Sequence, residues 1–158
     1  KCSLALLSVS AIIVGKPKKD PERQFFQELT CRTSPDRLGR MYMILVVDDQ
    51  DIIRKVLTMM LKRLGYEVIS VESGEEGIAA YREHASRVQL AIIDISMPDM
   101  DGHECLEHLV AINPEVKAAF SSGFAMGMNS YNDNPNVVGL LQKPFGLEDV
   151  SALLAQIL

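Results

Sequence analysis

Apolar residues in this chain fall into two kinds of run, short blocks and longer stretches with helical spacing, and the two alternate. The blocks are Met43 to Val47, Glu67 to Val71, Leu90 to Ile93, Val116 to Phe120 and Val138 to Gln142. Short, nearly unbroken apolar blocks fit strands covered on both faces, as in a parallel sheet. Between the first two, Ile53, Val56, Leu57, Met60, Leu61 and Leu64 repeat at helical spacing, and Gly65 stands where a C′ glycine ends a helix. Ser73-Gly-Glu-Glu76 has the form of a capping box opening a second helix to about His84. Gly102 to Ile112 reads as a third helix, closed by Asn113-Pro114, and Leu147, Val150, Leu154 and Ile157 line a last one. Strict alternation of strand and helix predicts an α/β fold: five parallel strands, right-handed crossovers and helices on both faces. One crossover is weak. Gly123 to Asn136 is rich in Gly, Asn, Met and Pro, which predicts a short or frayed helix at best.

Four of the five blocks run into polar residues at their C-terminal ends. Asp48-Asp49 follows the first, Asp94 the third, Ser121-Ser122-Gly123 the fourth and Lys143-Pro144 the fifth. Ligands of open parallel sheets collect outside the carboxyl ends of the strands. Taken singly, each residue is ordinary: an Asp there is a turn residue, a Lys a solvated charge, Ser-Gly a turn. Their joint placement on one edge changes that. Three carboxylates held together raise one another's pKa and oppose ionisation, a conflict that a cation relieves. All-oxygen ligands favour Mg²⁺. Lys143 adds a point charge suited to a phosphoryl oxygen, and Ser122 a hydroxyl donor. An anionic Asp94 in such company is set up for attack on phosphorus, giving an aspartyl phosphate.

Composition narrows the field. At 158 residues, 47% hydrophobic and 23% charged, the chain suits one globular domain with a tail rather than a disordered protein. Residues 1–40 hold 8 Lys/Arg against 4 Asp/Glu, a net of +4, while residues 41–158 hold 8 against 17, a net of −9. So acidic a domain has no electrostatic footprint for nucleic acid. Cys2, Cys31 and Cys105 form no paired framework, which fits a reducing, cytoplasmic setting. His84, His103 and His108 lack zinc-ligand spacing. Cys2 to Val14 mimics the apolar core of a signal peptide, but it is too short to span a bilayer and no clean cleavage site follows. Residues 1–40 read as a leader or linker, partly disordered or foreign to the natural chain, and residues 41–158 as the working domain.

Val46-Val-Asp-Asp49, Ile93-Asp-Ile-Ser-Met-Pro-Asp-Met-Asp-Gly102, Ser121-Ser-Gly123 and Leu141-Gln-Lys-Pro-Phe145, in that order, resemble the motifs of response-regulator receiver domains. These are the phosphoacceptor modules of two-component signalling, and the resemblance covers residues 43–158. It implies a flavodoxin-like doubly wound sheet with strand order 2-1-3-4-5. It also implies Mg²⁺-dependent transfer of a phosphoryl group to Asp94 from a phosphohistidine on a sensor histidine kinase or histidine phosphotransfer protein. By the same resemblance Asp48 and Asp49 bind Mg²⁺, Asp49 directly, joined by Asp94 and the backbone carbonyl of Ser96. Ser122 becomes the switch hydroxyl and Lys143 the phosphate-binding lysine, ahead of a cis Lys143-Pro144 bond. The output partner stays open, as does the choice between a stand-alone regulator and the terminal receiver of a hybrid histidine kinase. No membrane contact is implied, the state is monomer or weak dimer, and no turnover of a separate substrate is expected.

Two departures stand out. Leu140 occupies the place of a usual aromatic three residues before the lysine, which puts the mode of switching in question. The weak crossover falls where the family commonly carries output contacts. Three rivals are weaker. An aspartate-nucleophile phosphatase needs a second Asp at Ser96. A calcium loop through Asp99 and Asp101 needs acids at Met97 and His108. A pseudo-receiver with dead chemistry would not keep the full acid set and Lys143. Asp99 and Asp101 themselves read as loop residues.

Overall fold

Successive side chains of a strand point to opposite faces, so a strand apolar at every position needs cover on both. The computed structural model, which describes residues 42–123 and 134–158, supplies that cover. Its strands are β1 (Met43–Val47), β2 (Glu67–Val71), β3 (Val88–Asp94), β4 (Ala118–Ser122) and β5 (Val137–Gln142). They alternate with helices α1 (Asp51–Arg63), α2 (Gly74–His84), α3 (Gly102–Ile112) and α4 (Leu147–Ile157). All pairings are parallel, in the order β2-β1-β3-β4-β5. Fold class and strand order are therefore those expected. Residues 1–41, with the leader, and 124–133, with most of the weak crossover, lie outside the described residues.

The core is split by the sheet. Ile44, Val46, Leu90 and Ile92 face one way, onto Leu57 and Leu61 of α1 and Val150 and Leu154 of α4. Leu45, Val47, Ala91 and Ile93 face the other, onto Tyr81 of α2 and Cys105, Leu106 and Leu109 of α3. The blocks read as unbroken apolar runs because both sets are buried. Tyr81 is fully buried, and its hydroxyl accepts a hydrogen bond from Asn113 Nδ2 at 3.1 Å.

Helix ends follow local chemistry with two adjustments. Gly65 takes φ 92°, the left-handed conformation that ends α1 and that glycine adopts without penalty. At α2, Ser73 Oγ accepts from Glu76 N at 3.2 Å as a capping box requires, but the Glu76 carboxylate accepts from Glu72 N, one residue upstream of the box position. Asp101, expected as a loop residue, caps α3: its Oδ1 accepts from His103 N at 2.8 Å and Glu104 N at 2.9 Å. The fourth strand starts two residues later than the apolar run suggests, because Val116 N bonds Asn113 O in the turn that closes α3. It runs on through Ser121 and Ser122, which pair with Leu141 and Gln142.

Candidate functional site

Register places the polar strand ends together. Val47 of β1 pairs with Ile93 of β3, so Asp48 and Asp94 come next on adjacent strands, while Asp94 pairs with Ser121 of β4. Asp48, Asp49 and Asp94 each offer a carboxylate oxygen within 4.8 Å of the others. Asp48 and Asp94 are buried and Asp49 is exposed, so the group opens to solvent on one side. Ser122 is buried at the end of β4, where its carbonyl accepts from Lys143 N at 2.7 Å. Ser96 lies exposed two residues beyond Asp94.

Lys143 is not the solvated charge that its residue type alone suggests. Its side chain is only 10% exposed, and Nζ lies 2.8 Å from Asp48 Oδ2 and 3.0 Å from Asp94 Oδ2. The Lys143-Pro144 peptide is cis, as expected. Electrostatics of the group are lopsided. Burial pushes the Asp48 carboxyl above the usual carboxylate range, although Lys143 and the Gln50 N–H pull against it. Burial would lower the Lys143 ammonium, but its ion pairs with Asp48 and Asp94 win and hold it above the ordinary lysine value. Both shifts favour the more protonated form. Formally, three carboxylates share this group with one paired lysine among the described residues. Asp48 Oδ2 and Asp94 Oδ2 accept no hydrogen bond among the described residues beyond that ion pair. Under-coordinated buried carboxylate oxygens beside an exposed carboxylate suit a hard divalent cation, and the residues fit Mg²⁺.

The loop from Ile95 to Asp101 folds back over Asp94. Gly102 N donates to Ile95 O at 3.0 Å, and a Cβ on Gly102 would sit 2.5 Å from the Asp94 carbonyl oxygen. Only glycine allows helix α3 to start this close to the end of β3. Sequence reasoning missed one residue at the site. Arg54, on the first turn of α1, donates from Nη1 to the carbonyls of Asp48 (2.7 Å) and Asp49 (3.3 Å). Its only signal in the sequence is a cation shortly after the acids, which nothing distinguishes from a solvated helix-face arginine.

Comparison with known proteins identifies the family and its fold. The model of the response regulator receiver domain matches residues 44–155. The response regulator receiver protein CpdR of Brucella abortus (strain 2308) is 33% identical over 108 residues, 68% of this chain and 88% of that protein. Sensor kinase CckA of the same organism is 31% identical over 116 residues, 73% of this chain but only 12% of the kinase. The crystal structure of the receiver domain from hybrid histidine kinase CckA superposes with a TM-score of 0.61 at 29% identity, covering 73% of this chain and 99% of that one. The match takes in all five strands and every polar strand end described above, and the chain belongs to the response regulator receiver domain family of two-component signalling.

Proposed function

We propose that this receiver accepts a phosphoryl group on Asp94 from a partner phosphohistidine, and that the modification switches its contacts with another protein. One observation carries this: Asp94 Oδ2 is buried, paired among the described residues only with Lys143 at 3.0 Å, and shares its pocket with two further carboxylates. Such an oxygen is available as a nucleophile. It forms the new P–O bond as the P–N bond to the donor imidazole breaks, and the departing imidazole nitrogen keeps the electron pair and takes a proton from solvent. Lys143 meets the incoming phosphoryl oxygens with its ammonium, moving off the Asp94 carboxylate as that group is esterified. Ser122 offers its hydroxyl to a second phosphoryl oxygen. Asp48, Asp49, Asp94 and the Ser96 carbonyl would hold Mg²⁺, which when bound neutralises charge on the transferring group. Hydrolysis of the acyl phosphate restores Asp94, so the domain catalyses only its own modification.

The donor is a sensor histidine kinase or a histidine phosphotransfer protein, which sets the reaction in the cytoplasm. Ile52 on α1, 75% exposed and three residues from Asp49, offers such a donor an apolar contact beside the pocket. For output we favour the surface of β5 and α4, where Val138, Leu140 and Leu153 line a groove to which Lys143 also contributes. With Leu140 at the usual aromatic position, the signal reaches that groove through Lys143 and the β5 backbone rather than through a ring. The match to CpdR fits a stand-alone regulator and the match to CckA fits a hybrid-kinase receiver. No membrane or nucleic-acid role is proposed: no described helix is long and apolar enough to cross a membrane.

The test is labelling by a small acyl phosphate in the presence of Mg²⁺. Wild type should gain one phosphoryl group, and Asp94→Asn should gain none while keeping its fold by circular dichroism. Stoichiometric labelling of the Asp94→Asn protein would sink the assignment.

A further inference from the structure

The exposed acid of the group, Asp49, poses a positioning problem. No described residue donates a hydrogen bond to its carboxylate, so its direction depends on the backbone of the short loop between β1 and α1. Asp48 N ties the start of that loop to Val71 O at 3.3 Å, and one side chain bridges its two carbonyls. Arg54 Nη1 reaches the carbonyl oxygens of both Asp48 and Asp49, at 2.7 and 3.3 Å. Nη2 is tied on its other side to Asp51 Oδ1 at 3.3 Å and to Glu72 Oε2, in the loop after β2, at 3.6 Å. The Arg54 side chain is only 14% exposed, and its bond to the Asp48 carbonyl is the more covered of the two carbonyl bonds. Gln50 N adds a bond to Asp48 Oδ1 at 2.9 Å, which orients Asp48 but not Asp49. A planar fork with several donors can hold two carbonyls and two carboxylates at once, which no other side chain does as rigidly.

We propose that Arg54 is a positioning residue for the metal-binding acids, acting through the carbonyls of Asp48 and Asp49 rather than through its charge. The proposal rests on the phosphoacceptor reading above. Its geometry separates two roles with opposite consequences. The carboxylates that Arg54 faces, Asp51 and Glu72, are not members of the acid group. A cation near that group opposes binding of a second one, so if charge were its contribution, removing it would tighten Mg²⁺ binding. If Arg54 aligns the loop, removing it loosens Mg²⁺ binding, because residues that orient metal ligands typically contribute about tenfold to affinity.

The experiment titrates Mg²⁺ into the unphosphorylated full chain by calorimetry, for wild type, Arg54→Met and Arg54→Lys. Initial labelling rates by an acyl phosphate are measured against Mg²⁺ concentration in parallel. Arg54→Met should weaken Mg²⁺ binding about tenfold and shift the half-saturating Mg²⁺ by the same factor, with the saturated rate kept within about twofold. Arg54→Lys, which keeps the charge but offers a compact head unable to span both carbonyls, should fall between. Unchanged or tighter binding in both variants overturns the proposal, even with a lowered urea midpoint, since that is the mark of a purely structural arginine. Should Arg54→Met fail to fold, Arg54→Lys decides alone: weakened binding supports the proposal and unchanged binding overturns it. A wild type that binds no Mg²⁺ would overturn the phosphoacceptor reading along with it, whereas wild-type binding with unaltered variants overturns only the role of Arg54.

Discussion

Cys105 is buried and the Lys143 side chain largely covered, and their surroundings do opposite things to their chemistry. Cys105, on the inner face of α3, has no charged neighbour among the described residues that stabilises a thiolate, and burial pushes its thiol up to about 11. A folded value above the unfolded one means that this thiol contributes stability below the unfolded value of about 9, which is lost as pH rises through about 11. At pH 8 the thiol is therefore neutral as well as covered. Iodoacetamide should leave Cys105 unmodified in the folded protein and modify it rapidly in urea, as read by mass spectrometry of the peptide that carries it. Rapid native alkylation would show that α3 opens far more readily than its burial implies. Lys143 also loses water, but two carboxylates within 3.0 Å more than compensate, so its ammonium is held above the ordinary lysine value. Neither residue type announces which case applies. Only the neighbours do.

Among the elements, the turn from β3 into α3 is the tightest link between scaffold and site. Two glycines allow a comparison. A Cβ at Gly102 would meet the backbone of Asp94 and Ile95, at 2.5 Å from the Asp94 carbonyl oxygen and 3.0 Å from the Ile95 Cα. At Gly139 of β5 the obstruction is instead the tip of the Leu153 side chain. Backbone in a sheet cannot give way without breaking its ladder, whereas a leucine can change rotamer. Gly102→Ala should destabilise by about 3 kcal/mol and Gly139→Ala by about 1 kcal/mol or less, measured by urea unfolding. Gly102→Ala should also slow labelling by an acyl phosphate, because the strain falls on Asp94, the proposed phosphoacceptor. Equal costs at the two positions would show that the α3 start is looser than the geometry indicates.

For the whole molecule, the pocket is a junction of segments far apart in sequence. Its acids come from the ends of β1 and β3 and its lysine from the end of β5, with β4 between. Anything that binds all of them stabilises the fold as a unit. Lys143→Met removes the only cation that pairs with Asp48 and Asp94 among the described residues, and breaking a buried ion pair by removing one partner costs about 3–5 kcal/mol. In chelator this variant should unfold at markedly lower urea than wild type. Mg²⁺ at about a hundred times its dissociation constant should restore about 2.7 kcal/mol. A variant that is equally destabilised with and without Mg²⁺ would argue that the acids do not share a cation site.

The sequence by itself determined the alternation of elements, both faces of the core and the set of polar strand ends. Period is a local property: residues such as Leu45 and Ile92 declare a doubly covered strand wherever it sits, and Gly65 declares a helix end. The motifs around Asp48, Asp94, Ser122 and Lys143 were legible for the same reason, since each is short and contiguous. Tertiary structure decided what depends on distance across the chain. It turned Lys143 from a surface charge into a largely covered partner of two acids, made Asp101 a cap, and carried β4 through Ser122 where hydrophobicity alone ends it at Phe120. It also drew Arg54 onto two backbone carbonyls, a role no side-chain pattern encodes because the acceptors belong to the peptide and not to the residue type.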